Sequence, residues 1–157
     1  MIVWRLVRPE FANALDGEGA ALFGGRWNSR GRRAVYTASH LSLAVLEVYV
    51  SIPPALRDEL PALEAVKIHV PEGAQGREIA SSAFDALMAQ DDPVSTSRAL
   101  GDAWIEARAA LVLIVPSVLV PEETNLILNP DHPGMRDVAI VSTRVFRFDP
   151  RMVVGKM

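Results

Sequence analysis

The sequence predicts an α+β fold, and three observations carry that expectation. Residues 2–7 and 66–70 alternate apolar with other side chains at a period of two, the pattern of half-buried strands. Leu41 to Val50 is instead apolar nearly all round, as a buried helix is. Proline and glycine interrupt the chain often, so the elements are short and must share one core, and 157 residues are enough for one compact domain, 1–157.

Taken in order, Ile2, Trp4 and Leu6 open a strand that Pro9 ends. Phe11 to Gly25 carries four glycines and no clear period, and reads as a long loop. Ala34 to Ala38 is a short strand, Ser39 stands where a helix N-cap would, and a helix from about His40 to Val50 follows until Pro53-Pro54 stops it. Val66, Ile68 and Val70 make the next strand, closed by the turn from Gly73 to Gly76. Ala83, Phe84, Leu87 and Met88 fit a helical stripe that Asp91-Asp92-Pro93 breaks, and Ser95-Thr96-Ser97 caps a further helix to about Ala109, with Asp102 and Glu106 outward. Leu111 to Val115 reads as a strand ending at Pro116-Ser117, with Val118 to Pro121 continuing extended. Asn125 to Leu128 and Arg144 to Phe148 are the last strands, separated by the turn cluster from Asn129 to Gly134. The sum is a set of short mixed or antiparallel strands against two or three helices.

Composition narrows the chemistry. The net charge of −3 with mixed signs offers no basic face for nucleic acid. No cysteine is present, so disulfides, thiolate metal sites and a cysteine nucleophile are excluded. His40, His69 and His132 have no metal-ligand spacing, and no metal is expected. No apolar run approaches the ~20 residues of a membrane helix and the N-terminus has no secretory pattern, so the expected location is cytoplasmic.

Glu47 is the most unusual residue, the only charge between Leu41 and Val50. A buried, unpaired carboxylate costs several kcal/mol, so Glu47 needs a cation or a polar cleft. Arg26, beside Gly24-Gly25, is the candidate partner. Trp27 and Trp104 read as packing, His132 as a hydrogen-bonding turn residue, and Arg30, Arg32 and Arg33 as a basic run facing solvent, an acceptor or an acidic partner segment.

Gly25-Arg26-Trp27-Asn28, Val35-Tyr36, Ser42-Leu43-Ala44 with Leu46-Glu47, Leu100 to Trp104, Val115-Pro116-Ser117 and Asn125-Leu126 with Leu128-Asn129-Pro130 together resemble the RES domain. That family is named for an arginine, a glutamate and a serine, here Arg26, Glu47 and Ser117. The resemblance implies an ADP-ribosyltransferase-like core and a toxin held in check by an Xre-like helix-turn-helix antitoxin. It implies that NAD+ is a consumed substrate, with no cofactor, and that ADP-ribose passes to water, phosphate or a protein acceptor.

On that reading Glu47 stabilises the positive charge that develops on the ribose as nicotinamide leaves. Arg26 holds Glu47 or the dinucleotide's pyrophosphate, Tyr36 stacks on the nicotinamide and hydrogen-bonds through its hydroxyl, and Ser117 orients Glu47 or touches the ribose. The competing expectation is a non-catalytic module on the same fold that binds a nucleotide or a protein without turnover.

Overall fold

The computed structural model describes residues 1–153; the end of the expected domain, 154–157, lies outside the described residues. Seven strands form one sheet: β1 (Ile2–Val7), β2 (Val35–Ala38), β3 (Leu63–His69), β4 (Gly76–Glu78), β5 (Val112–Pro116), β6 (Thr124–Leu128) and β7 (Ala139–Phe146). Their order is β4-β5-β6-β2-β1-β3-β7. Only the β4–β5 pair is parallel; the others are antiparallel. Four helices, α1 (Glu18–Phe23), α2 (Leu41–Ser51), α3 (Ser81–Met88) and α4 (Pro93–Ala107), complete an α+β architecture.

The alternation of side chains along the strands builds two faces. Val3, Val35, Val66, Ile68, Val112, Leu126 and Leu128 are buried together on one. On the other, Leu113, Val115 and Ile127 pack with Trp27, Phe84 and Trp104 under α3 and α4. Leu6, Ala38 and Ala65 on that same side pack with Leu43 and Ala44 of α2. Two helix-covered clusters therefore stand side by side over one sheet.

Between them the sheet is split. β1 pairs with β3 over six positions and β2 with β6 over four, whereas β1 and β2 share the single position Trp4↔Ala38. Beyond that point the two strands part, and a cleft opens between them.

Several local expectations need correction. The stretch read as a loop holds α1, whose six residues are bracketed by Gly17 (φ 72°) and Gly24 (φ 71°); glycines that looked like loop are helix boundaries in a region side chains rarely adopt. The cap of α2 is His40 rather than Ser39, without a side-chain bond. α4 starts at Pro93, with Asp92 accepting from the Ser95 N–H, so Ser97 is interior and buried. Of the two acidic residues on that helix, Glu106 is exposed as expected and pairs with Arg32, whereas Asp102 is half-buried and accepts from the Ser29 N–H. The last strand runs from Ala139 to Phe146 and is exposed along most of its length, which erased its apolar period, while Phe148 is buried beyond its end. Val118 to Pro121 turns back instead of extending: the Ser117 N–H bonds to the Glu123 carbonyl.

Candidate active site in the split of the sheet

α2 crosses the split and brings Glu47 to it. Leu43 and Ala44 are the helix's buried contacts with the sheet, and Glu47, three and four residues on, shares their face. An inner recess of about 130 Å3 lies there, lined by Trp4, Tyr36, Ala44, Glu47 and Asn125 among others. It adjoins an outer chamber of about 810 Å3, a size suited to a small-molecule ligand. Arg5, Leu6, Tyr36 and Val48 line both.

One carboxylate oxygen of Glu47, Oε1, accepts from Ser117 Oγ at 2.8 Å and from Asn125 Nδ2 at 2.7 Å. Ser117 is fully buried after β5, and its hydroxyl oxygen accepts from the N–H groups of Leu119 (3.0 Å) and Val120 (3.1 Å). With its lone pairs engaged by the backbone, the hydroxyl proton is directed at Glu47. The second oxygen, Oε2, has no hydrogen bond among the described residues.

The expected ion pair between Arg26 and Glu47 is not formed. Arg26 Nη1 lies 3.9 Å from Met88 Sδ on α3, and the residue is absent from the lining of both cavities. The backbone conformation explains this. Gly24 to Ser29 is strapped to α4: Arg98 Nε donates to the Gly25 carbonyl (2.7 Å), Ser97 Oγ to the Arg26 carbonyl (2.7 Å), and the Ser29 N–H to Asp102. The strap turns its arginine towards the helices and not into the cleft.

Tyr36 fastens the strap from the other side. Its hydroxyl accepts from the Trp27 N–H at 2.9 Å and donates to Asn28 Oδ1 at 2.8 Å, and a Cβ on Gly25 would stand 2.5 Å from that oxygen. The hydroxyl proton is therefore spent within the protein, while the residue lines both cavities. Burial holds its phenol above the ordinary tyrosine range.

Among the described residues the cation that lines both cavities is Arg5, to which the sequence pattern assigns no role. Its Nη1 donates to the Ala14 carbonyl at 2.9 Å and the Phe11 carbonyl at 3.4 Å. Burial lowers its pKa, with Asp16 opposing the shift, and a guanidinium stays charged even so. The available signal was a charge in mid-strand between Trp4 and Leu6, in a strand apolar on both faces. Asn125 starts a strand in the sequence pattern, and nothing in its spacing points to Glu47.

The remaining residues singled out in the sequence lie outside the cleft. Trp27 and Trp104 are buried, His132 accepts from the Gly134 N–H, Arg32 and Arg33 pair with Glu106 and Asp131, and Arg30 is exposed. Among the described residues no group of His, Cys, Asp and Glu stands where it could hold a metal ion, and no helix is long and apolar enough to cross a membrane.

The whole chain resembles proteins already known. The sequence is 37% identical to Toxin Res of Yersinia enterocolitica over 97% of this chain and 99% of that protein. It is 36% identical to the Prs ADP-ribosylating toxin of a Sphingobium species over 96% and 95% of the two chains. The fold superposes on a chain in the crystal structure of the M. tuberculosis MbcT–MbcA toxin–antitoxin complex with a TM-score of 0.72 at 21% identity, covering 92% of this chain and 83% of that one. The pattern of the RES domain matches residues 2–149, and the chain belongs to the RES-domain family.

Proposed function

We propose that this protein is the toxin of a toxin–antitoxin pair, and that it consumes NAD+ by cleaving the nicotinamide–ribose bond and passing on ADP-ribose. The observation that carries the reading is the state of Glu47. It is a carboxylate in a largely apolar cleft, held by two neutral donors on one oxygen, bare on the other, and without a cation within 4 Å among the described residues. The free oxygen is accessible from the cleft, and a fixed negative charge is what a ribosyl cation needs as a neutral pyridine departs. Ser117 and Asn125 act as positioning residues that keep Oε1 engaged and leave Oε2 for the ribose.

Arg5 would hold the pyrophosphate, since it lines both the recess and the chamber and brings a desolvated fork of donors. Arg26 is restrained at its guanidinium only by a weak sulfur contact, so it can leave Met88 and add a second cation once the anionic ligand is bound. The aromatic face of Tyr36 flanks the nicotinamide. No metal or resident cofactor enters this scheme. The relative named a Prs ADP-ribosylating toxin favours a protein as acceptor over water or phosphate. The relative solved in a toxin–antitoxin complex supports an antitoxin partner for this chain, and we place that partner in the Xre-like class.

The test is a proton NMR time course of NAD+ with wild-type protein and Glu47→Gln, repeated with phosphate and with cell lysate. The amide still accepts from Ser117 and Asn125, so the fold should hold, while nicotinamide release should drop at least about 100-fold with the loss of the charge. Labelled ADP-ribose on a protein band would identify transfer; dependence on phosphate would identify phosphorolysis. No release by folded, antitoxin-free wild type under any condition would overturn the proposal in favour of a binding module.

A further inference from the structure

Phe23 is placed against its own chemistry. It is the last residue of α1 and an aromatic 68% exposed to solvent, yet it lines the outer chamber. Leu22 beside it is exposed as well but does not line that chamber. Phe11 lines the same chamber, and between the two rings comes Gly19, four residues before Phe23 and so on the same face of α1. A Cβ added to Gly19 would stand 3.9 Å from Cδ1, Cδ2 and Cε1 of Phe11, so that ring lies over bare helix backbone. Ala20 and Ala34, also in the lining, add little bulk. Aromatic carbon thus lines the chamber from Phe23 on α1 and from the Phe11 ring seated on the bare backbone of that helix.

The position along the cleft says what would lie there. The recess at Glu47 is about one-sixth the volume of the chamber and takes only the reacting end of an elongated ligand. Arg5 stands where the two cavities meet, and Phe23 lies beyond it.

We infer that Phe23 and Phe11, the latter seated on Gly19, form a stacking subsite for the purine base at the far end of the dinucleotide. The inference rests on the NAD+ reading and adds to it the residue that selects a dinucleotide over a mononucleotide. Stacking suits the position because every base presents a flat π-face, and an exposed ring gains by covering it.

Steady-state kinetics on NAD+ with Phe23→Ala, Phe23→Trp and Gly19→Leu test it, with AMP and nicotinamide mononucleotide as competing ligands. Phe23→Ala, which removes one aromatic face, and Gly19→Leu, which displaces the Phe11 ring, should each raise KM about ten-fold, the scale of one base–aromatic stack. Turnover at saturation should stay within about two-fold, Phe23→Trp should behave as wild type, and AMP should bind more weakly in step with NAD+ while nicotinamide mononucleotide is unaffected. An unchanged KM in Phe23→Ala, with or without loss of antitoxin binding, overturns the subsite, as does equal weakening of both competitors. Failure of the NAD+ reading looks different, since there the wild type itself releases no nicotinamide.

Discussion

The strap from Gly24 to Ser29 and the cluster around Glu47 both bury polar groups, and they satisfy them in opposite ways. In the strap the carbonyls of Gly25 and Arg26, the N–H groups of Trp27 and Ser29, and both ends of the Asn28 amide all have partners within the protein. At Glu47 the donors converge on one oxygen and leave the other bare. Full satisfaction fixes a backbone; partial satisfaction leaves a charge available to something that arrives. The densest motif in the sequence therefore builds the wall of the cleft, and the groups lining its inner recess come from β1, β2, α2 and β6.

The sharpest way to break this contrast is Gly101→Ala. A Cβ there would stand 1.8 Å from the Trp27 carbonyl oxygen and 2.7 Å from its carbon, both backbone, so α4 or the strap must move. We expect a loss of about 3 kcal/mol or more, which for a domain of this size lowers Tm by roughly 6–12 °C. An unchanged melting curve would mean that the strap is not fixed against α4.

Ser117→Ala comes next and acts on the other region. It leaves the N–H groups of Leu119 and Val120 without an acceptor, a cost of about 1–3 kcal/mol, and removes one of the two donors on Glu47 Oε1. We expect kcat to fall about ten-fold with KM nearly unchanged, because the residue positions the carboxylate rather than binding substrate. A stability loss with kcat intact would show that Ser117 serves only the turn that follows it.

The architecture was legible wherever burial on one face left a period. β1 and α2 match their expected limits for that reason and the second half of β3 does too, whereas β7, exposed on most of its length, and α1, short and bounded by glycines, leave no periodic trace. At the site the isolation of Glu47 in an apolar helix was a physical signal available from sequence, and Ser117 came with the family resemblance. Glu47 takes two neutral donors and no arginine, and the expectation of Arg26 fails because sequence proximity to glycines says where a backbone bends and not where a side chain points. Arg5 and Asn125 escaped because what matters for them is the single-position contact of β1 with β2 and the β2–β6 register that sets Asn125 opposite Ala38. Such pairings are long-range and leave no mark in local spacing.

The smallest effect expected belongs to Tyr36→Phe, where the two regions meet. Removing the hydroxyl leaves the Trp27 N–H and Asn28 Oδ1 short of one partner each, and about 1 kcal/mol of stability should be lost at neutral pH. The pH dependence carries more information. Burial raises the Tyr36 phenol above its ordinary value of 10.0, so in alkaline solution the unfolded chain releases a proton that the folded chain retains. The unfolded state then binds fewer protons than the native one, and stability falls as pH rises above about 10. Phenylalanine has no proton to lose, and Tyr49 is common to both proteins, so the stability gap between wild type and Tyr36→Phe should narrow as denaturant titrations move from pH 8 to beyond pH 10. A gap that stays constant over that range would mean that the phenol ionises as it does in water, and that the strap leaves it open to solvent instead of sealing it between the two regions.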